Sequence, residues 1–268
     1  MASMEVYASG QPGRLVGTKA MCVRDHINAA SFISSITEDK SWLGPGEGVK
    51  VLVIQGSILT LQRNECLRQM EGDWILFIDD DMAYPPSSVG QLVMSWRELS
   101  SQMDEPVILG GLCHRRAAPY DPTLYMRASP RMGRYRFLEK WDTDIVEVDA
   151  TGLAFLLIPQ SALEAISGVE WPAYETRRIY EPPNLFRWQD SLGEDLRFCQ
   201  DAKAAGCRIF VDTRIQIGHV TEVTIGHRDY LHQIALRSPE DEDLSRRVND
   251  KYGLPTLTSK EARERLGW

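Results

Sequence analysis

Asp79, Asp80 and Asp81 follow directly on five apolar residues, Trp74 to Ile78. Three adjacent carboxylates repel one another, so crowding them at the mouth of a buried segment costs stability unless a cation or a donor-rich ligand offsets the charge. The run reads either as a solvated acidic turn or as the oxygen donors of a divalent metal site. Glu194 and Asp195 follow Gly193. Acidic residues in a first helical turn complement the macrodipole, and a carboxylate within hydrogen-bond reach of a hydroxyl can also serve as its general base. His219 follows Gly218, where an imidazole is either structural or a donor to an ion such as Mn²⁺ that accepts nitrogen as well as oxygen. Arg63 and Asn64 suit either a helix surface or contacts to a nucleotide.

These residues need elements to hold them. Residues 49–54 are dominated by β-branched side chains and form a strand, Gly56-Ser57 turns into a helix over 58–70, and 74–78 lacks alternation, as a strand buried on both faces does. A single helix between two strands predicts parallel pairing with a right-handed crossover. In open sheets of this kind ligands sit beyond the carboxyl ends of the strands, and the three aspartates lie at that end. A strand over 15–23 and a helix over 26–36, with Ile27, Ala30, Phe32 and Ile33 at helical spacing, precede a loop over 42–48. A proline-led helix over 88–102 and a strand over 106–112 containing Gly110-Gly111 follow the aspartates.

Residues 125–149 read as a hairpin or loop insertion, and 146–159 as one strand that alternates and then turns fully apolar past Gly152. A short helix over 160–166 leads to an irregular, aromatic stretch over 171–192 that suits a lid. Gly193-Glu194-Asp195 opens a helix over 196–205 that Gly206 closes, and short strands over 208–211 and 214–217 lead to Gly218-His219. The pattern divides the chain into a poorly ordered start over 1–13, one α/β domain over 14–236, and a charged, patchily helical extension over 237–268.

Composition narrows the function classes. The chain has 268 residues, of which 43% are hydrophobic and 25% charged, enough apolar content for a sizeable core. No apolar run approaches the roughly 20 residues a membrane span needs, and the first residues lack the basic-then-apolar pattern of a signal peptide. A net charge of −8 disfavours a broad grip on nucleic acid. The five scattered cysteines contain no Cys-x-x-Cys pair, which fits reduced thiols and a cytoplasmic setting.

The ordered set of motifs resembles the GT-A fold glycosyltransferases, most closely the compact bacterial and phage-type members. It runs from Ser57 and Arg63-Asn64 through the strand into Asp79-Asp80-Asp81-Met82, Gly110-Gly111, Val148-Asp149-Ala150-Thr151-Gly152 and Gly193-Glu194-Asp195 to Gly218-His219. The resemblance covers roughly residues 49–220. It implies a GT-A, Rossmann-like α/β fold: a mostly parallel central sheet flanked by helices, a single domain with loop insertions. It also implies a hexosyl- or pentosyltransferase that takes a UDP- or GDP-sugar donor with Mn²⁺ or Mg²⁺ and moves the sugar to an acceptor hydroxyl.

By that resemblance Asp79 lies toward the ribose or sugar, with a share in the metal, Asp81 holds the metal, and Asp80 sits between them in either shell. His219 matches the downstream histidine that completes metal binding. Glu194-Asp195 matches the acidic pair before the acceptor-side helix, with Asp195 as the base and Glu194 as the second choice. Arg63, Asn64, Gly110 and Gly111 are expected on the donor nucleotide. No residue before Val49 matches the first strand of this fold or its part of the nucleobase pocket.

Two other readings stand beside this one. A nucleotidyltransferase acting on a sugar phosphate also joins a parallel sheet to an acidic metal site, but calls for a glycine-rich basic loop after the first strand, to which Gly10 to Gly17 is no close match. A non-catalytic nucleotide-sugar binding protein would use the acidic pair only as a helix cap. The acceptor is a small molecule, a glycan, a protein or a modified DNA base. Arg115, Arg116, Arg127, Arg131, Arg134 and Arg136, with Tyr120, Tyr125 and Tyr135 among them, form either a solvated hairpin or a surface for phosphate and stacked rings.

Overall fold

The computed structural model describes residues 2–7, 13–116, 120–129, 134–177, 182–189 and 191–221. Their compact body ends at Val220. The expected extension over 237–268 and Arg131 lie outside the described residues, as do the side chains of 2–7 and Arg134.

Thirteen strands and six helices make up the described chain. The strands are β1 (Ala2–Tyr7), β2 (Arg14–Val23), β3 (Glu47–Gln55), β4 (Trp74–Asp79), β5 (Met82–Ala83), β6 (Val107–Leu112), β7 (Leu124–Ser129), β8 (Arg134–Phe137), β9 (Ile145–Val148), β10 (Ala150–Thr151), β11 (Phe155–Pro159), β12 (Arg208–Gln216) and β13 (Gly218–His219). The helices are α1 (Ala29–Ile36), α2 (Leu59–Gln69), α3 (Ser88–Ser100), α4 (Gln160–Ser167), α5 (Tyr174–Arg177) and α6 (Glu194–Ala204).

Eight strands form the central sheet in the order β1-β3-β2-β4-β11-β6-β12-β9. β3, β2 and β4 are mutually parallel, as are β6 and β12. β11 runs antiparallel between β4 and β6, and β1 and β9 run antiparallel at the two edges. Five strands therefore point one way, which makes the sheet mostly parallel. Helices cover both faces: α2, α4 and α6 contribute Leu67, Leu163 and Phe198 to the core on one side, and α3 contributes Val89, Leu92 and Val93 on the other.

Several expectations change. Residues 2–7, expected to be poorly ordered, pair along the whole of β1 with β3. A first parallel strand does precede Val49: it is β2, seated between β3 and β4. A Cβ at its Gly17 would lie 2.2 Å from ring carbons of Trp74, so glycine is what allows the indole to lie on the strand. The single strand expected over 146–159 is three, because Ile145–Val148 pairs with β12, Ala150–Thr151 with β7, and Phe155–Pro159 with β4 and β6. The two strands expected over 208–217 are one, irregular between Asp212 and Gln216.

α1 reverses its expected amphipathicity. It buries Ser31 and Ser34 and exposes Phe32, Ile33 and Ile36. The reason is a polar underside: the Ser34 hydroxyl accepts from the Tyr84 backbone N–H, and the buried Lys19 ammonium donates to the Ser35 hydroxyl and pairs with Glu38. All five cysteines are buried and free.

Candidate active site

β4 ends in Asp79, and the chain turns through Asp80 and Asp81 into the two-residue strand β5. β13 pairs antiparallel with β5, His219 opposite Met82, and the Val220 N–H donates to the Asp81 carbonyl at 2.8 Å. This short ladder brings His219 to the aspartates from 138 positions along the chain (219 − 81). Its Nε2 lies 3.3 Å from Asp81 Oδ2.

The other ring nitrogen fixes the tautomer. His219 Nδ1 is 2.9 Å from the His114 carbonyl oxygen, which can only accept, so Nδ1 carries the proton. In the neutral ring Nε2 then presents a lone pair to a carboxylate oxygen. It is buried and makes no hydrogen bond of good geometry. Burial alone would lower the His219 pKa, but the Asp81 carboxylate and the His114 carbonyl outweigh it and raise it. An imidazole oriented by a backbone carbonyl, with its free nitrogen against a carboxylate, is a donor pair that suits a divalent cation. Among the described residues no group of three or more His, Cys, Asp or Glu side chains is assembled for a metal.

Asp81 Oδ2 also receives Arg116 Nη1 at 2.9 Å. Asp81 itself is not on the wall of the adjacent cavity of about 340 Å³, whereas Arg116 and His219 are. Arg116 thus both lines the cavity and holds the carboxylate, a contact the sequence did not reveal. The basic character of 113–122 was its only signal, and no spacing indicates which arginine reaches which acid.

Asp79, Glu194 and Asp195 line the same cavity. α6 presents both acids in its first turn after the extended Gly193. Arg63, from α2, joins the two acidic segments: Nη1 donates to Glu194 Oε1 at 2.8 Å and Nη2 to Asp79 Oδ1 at 3.1 Å. Arg63 is 2% exposed, so it is not the surface residue one sequence reading allowed. Burial works against its charge, but Asp79 and Glu194 outweigh this and raise its pKa.

Asp195 stays uncompensated by comparison. Burial first, and then the Glu194 charge, push its carboxyl above the usual range, although the Leu196 N–H donates to its Oδ1 at 2.7 Å. Asp80 is raised as well, by burial and by Asp81, while its carbonyl accepts from the Asn28 N–H.

The remaining expected site residues sit elsewhere. The Asn64 amide is taken up by the chain, donating to the Phe186 carbonyl and accepting from the Phe186 N–H. Gly110 and Gly111 lie inside β6, where an added Cβ would come 3.1 Å from Leu156 and from Phe155 and Ile217 respectively. None of these three lines the cavity.

A family model for glycosyl transferase family 2 matches residues 41–150. The matched stretch contains Arg63 and the three aspartates; Glu194, Asp195 and His219 lie beyond it. The crystal structure of A197 from STIV is similar over 76% of this chain and 86% of that one, with a TM-score of 0.48 and 12% identity. No curated protein matches the chain in sequence. The mixed α/β architecture, with its large, mostly parallel central sheet flanked by helices, is consistent with the GT-A fold. The family match supports glycosyl transfer in general. No described helix is long and apolar enough to cross a membrane.

Proposed function

We propose that the protein is a metal-dependent glycosyltransferase that moves a sugar from a nucleotide-sugar donor to an acceptor hydroxyl. The observation that carries this reading is the meeting of Asp79, Glu194, Asp195 and His219 around one cavity at the carboxyl ends of the parallel strands, with Asp81 behind His219 at 3.3 Å. Its place in the sheet is where ligands bind in open α/β folds.

Asp81 and His219 would hold a divalent ion, Mn²⁺ or Mg²⁺, with Asp79 at its side. When bound, that ion supplies positive charge to a diphosphate leaving group. Arg63 fixes Asp79 and Glu194 relative to one another through its two guanidinium nitrogens. Glu194 is thus held by a guanidinium, whereas the Asp195 carboxylate accepts at Oδ1 from the Leu196 N–H and keeps Oδ2 for a hydroxyl. Its raised pKa makes it a stronger base than an ordinary aspartate, and it would take the proton of the acceptor hydroxyl as the oxygen attacks. Deprotonating the nucleophile on one side while neutralising the leaving group on the other lowers the barrier from both ends.

The test is release of nucleoside diphosphate from UDP- and GDP-sugars in the presence of Mn²⁺. The wild type is expected to release it and to stop on chelation, and Asp81→Ala is expected to lose the metal-dependent part. Full turnover in Asp81→Ala, or in chelator, would overturn the reading. Release of pyrophosphate from a nucleoside triphosphate and a sugar 1-phosphate would assign nucleotidyl transfer instead.

A further inference from the structure

The hairpin of β7 and β8 carries an aromatic face that Arg115 connects to the cavity of the candidate base. Tyr125 pairs across the strands with Phe137, and Arg127 with Tyr135, so by the two-residue alternation of strands these four side chains share one face. The rings pack together: Tyr125 lies 5.1 Å from Phe137 and 6.4 Å from Tyr135, centroid to centroid. All three residues are half-buried, with Tyr125 and Tyr135 packed against the core. The Arg115 guanidinium sits 5.5 Å from the Phe137 centroid and also lines the cavity that contains Asp195. Arg115 is thus the physical link between the ring cluster and the cavity.

The opposite edge of β7 leads to the base. β10 pairs there with Tyr125 and Leu124, the next residues Gly152 and Leu153 line the cavity, and Cys199 of α6 donates to the Thr151 carbonyl. After burial, the Asp195 charge is the main influence that raises the Tyr125 hydroxyl pKa.

Charge decides what this face would accept. Arg115 lies 3.9 Å from Asp121, Arg116 is held by Asp81, and Asp149 accepts from the Arg127 backbone N–H. The Arg115 and Arg116 guanidiniums are thus each matched by a carboxylate, in a chain whose net charge is −8. A polyanion finds these two cations already paired and meets the repulsion of the net negative charge. A ring with C–H faces and many hydroxyls meets aromatic surface for the first, and both donors and acceptors for the second.

We infer that the face formed by Tyr125, Tyr135, Phe137 and Arg115 is the acceptor subsite, and that the acceptor is a neutral, hydroxyl-rich carbohydrate. The inference rests on the glycosyl-transfer reading for the word acceptor, but its test uses no donor and no turnover.

Saturation-transfer NMR with cellobiose, lactose and maltose, on the full chain, reads binding directly. At least one of the three is expected to receive saturation on its ring C–H protons, equally at about 50 mM and about 500 mM salt. Tyr125→Ala and Phe137→Ala are expected to weaken binding about tenfold, whereas Tyr125→Phe, which keeps the ring, retains it. Arg115→Ala, half-exposed and outside the core packing, weakens binding without disturbing the fold. Absence of binding for all three sugars overturns the inference, as does binding that Tyr125→Ala and Arg115→Ala leave unchanged. Preferential binding of a short oligothymidylate that collapses with salt would also overturn it and assign a nucleic-acid strand. Nucleoside diphosphate release measured without any disaccharide reports separately on glycosyl transfer, so the two readings can fail independently.

Discussion

At the scale of the residue, the site is governed by who shares a carboxylate with whom. In its proposed role as base Asp195 would work only when deprotonated, and burial with Glu194 beside it holds its carboxyl above the usual range. Activity should therefore rise with pH along an acid limb that lies above the ordinary aspartate value of about 4. Glu194→Gln removes a negative neighbour and should move that limb to lower pH, while Asp195→Asn should reduce transfer by about 10² to 10⁴; pH–rate profiles of the two variants check both outcomes. Arg116 makes the opposite kind of contact, a cation already resting on Asp81. Arg116→Gln should tighten Mn²⁺ binding by about threefold, the scale of an exposed ion pair, read from the paramagnetic resonance of free Mn²⁺ in a titration without donor. The aspartate run, the acidic pair and the histidine were legible because charged residues at the ends of apolar runs stand out. What a sequence does not display is that Arg63 would bridge Asp79 and Glu194 across 131 positions (194 − 63), or that the Asn64 amide would be spent on Phe186.

At the scale of the element, α1 and β12 show how polar contacts override pattern. The apolar spacing in 26–36 predicted a buried stripe, yet the underside of α1 is serine. Ser34→Ala should cost about 1–3 kcal/mol by leaving the Tyr84 N–H without its acceptor, whereas Ile36→Ser, at a position 63% exposed, should change stability by less than about 0.5 kcal/mol; urea melts of the two variants check the reversal. On β12, Asp212 accepts from Ser95 of α3 and from Arg214, tying strand to helix. Burial would raise its carboxyl, but those hydrogen bonds outweigh it and hold the pKa below the usual range. A depressed folded-state pKa gives stability that is present above the unfolded value of about 3.9 and is lost as pH falls through the lower folded value. Asp212→Asn should thus be less stable than wild type at pH near 7, with the gap shrinking below about pH 4, as denaturant melts at the two pH values would report. The helices of eight or more residues were legible within a few residues because their caps and periodicity are local, whereas the single turn α5 lies in 171–192, which read as irregular. β5, β10 and β13, two residues each, offer no period at all, and their existence depends on a partner strand far along the chain.

At the scale of the whole molecule, the class of fold was legible and the pairing was not. Buried strands joined by helices predicted a mostly parallel sheet, and the sheet has that character. Which strand lies beside which is a non-local choice, so 146–159 read as one strand although its three parts have three sets of partners. Close packing adds constraints of its own: Gly17→Ala would drive a methyl into the Trp74 ring and should destabilise the protein by about 1–3 kcal/mol in thermal or denaturant unfolding. The antiparallel strand β11 has a further consequence, for how the molecule comes to be made. It is the sole hydrogen-bonded link between β4 and β6 within the sheet, yet it is synthesised after both. Until residues 155–159 emerge from the ribosome, the facing edges of β4 and β6 stay open, each able to pair with a strand from another chain. A polypeptide stalled or cleaved before that point would hold one half-sheet, β1-β3-β2-β4, with an open border at β4, and a β6 lacking both of its neighbours, since β12 is also still to come; its natural fate would be association with its own kind.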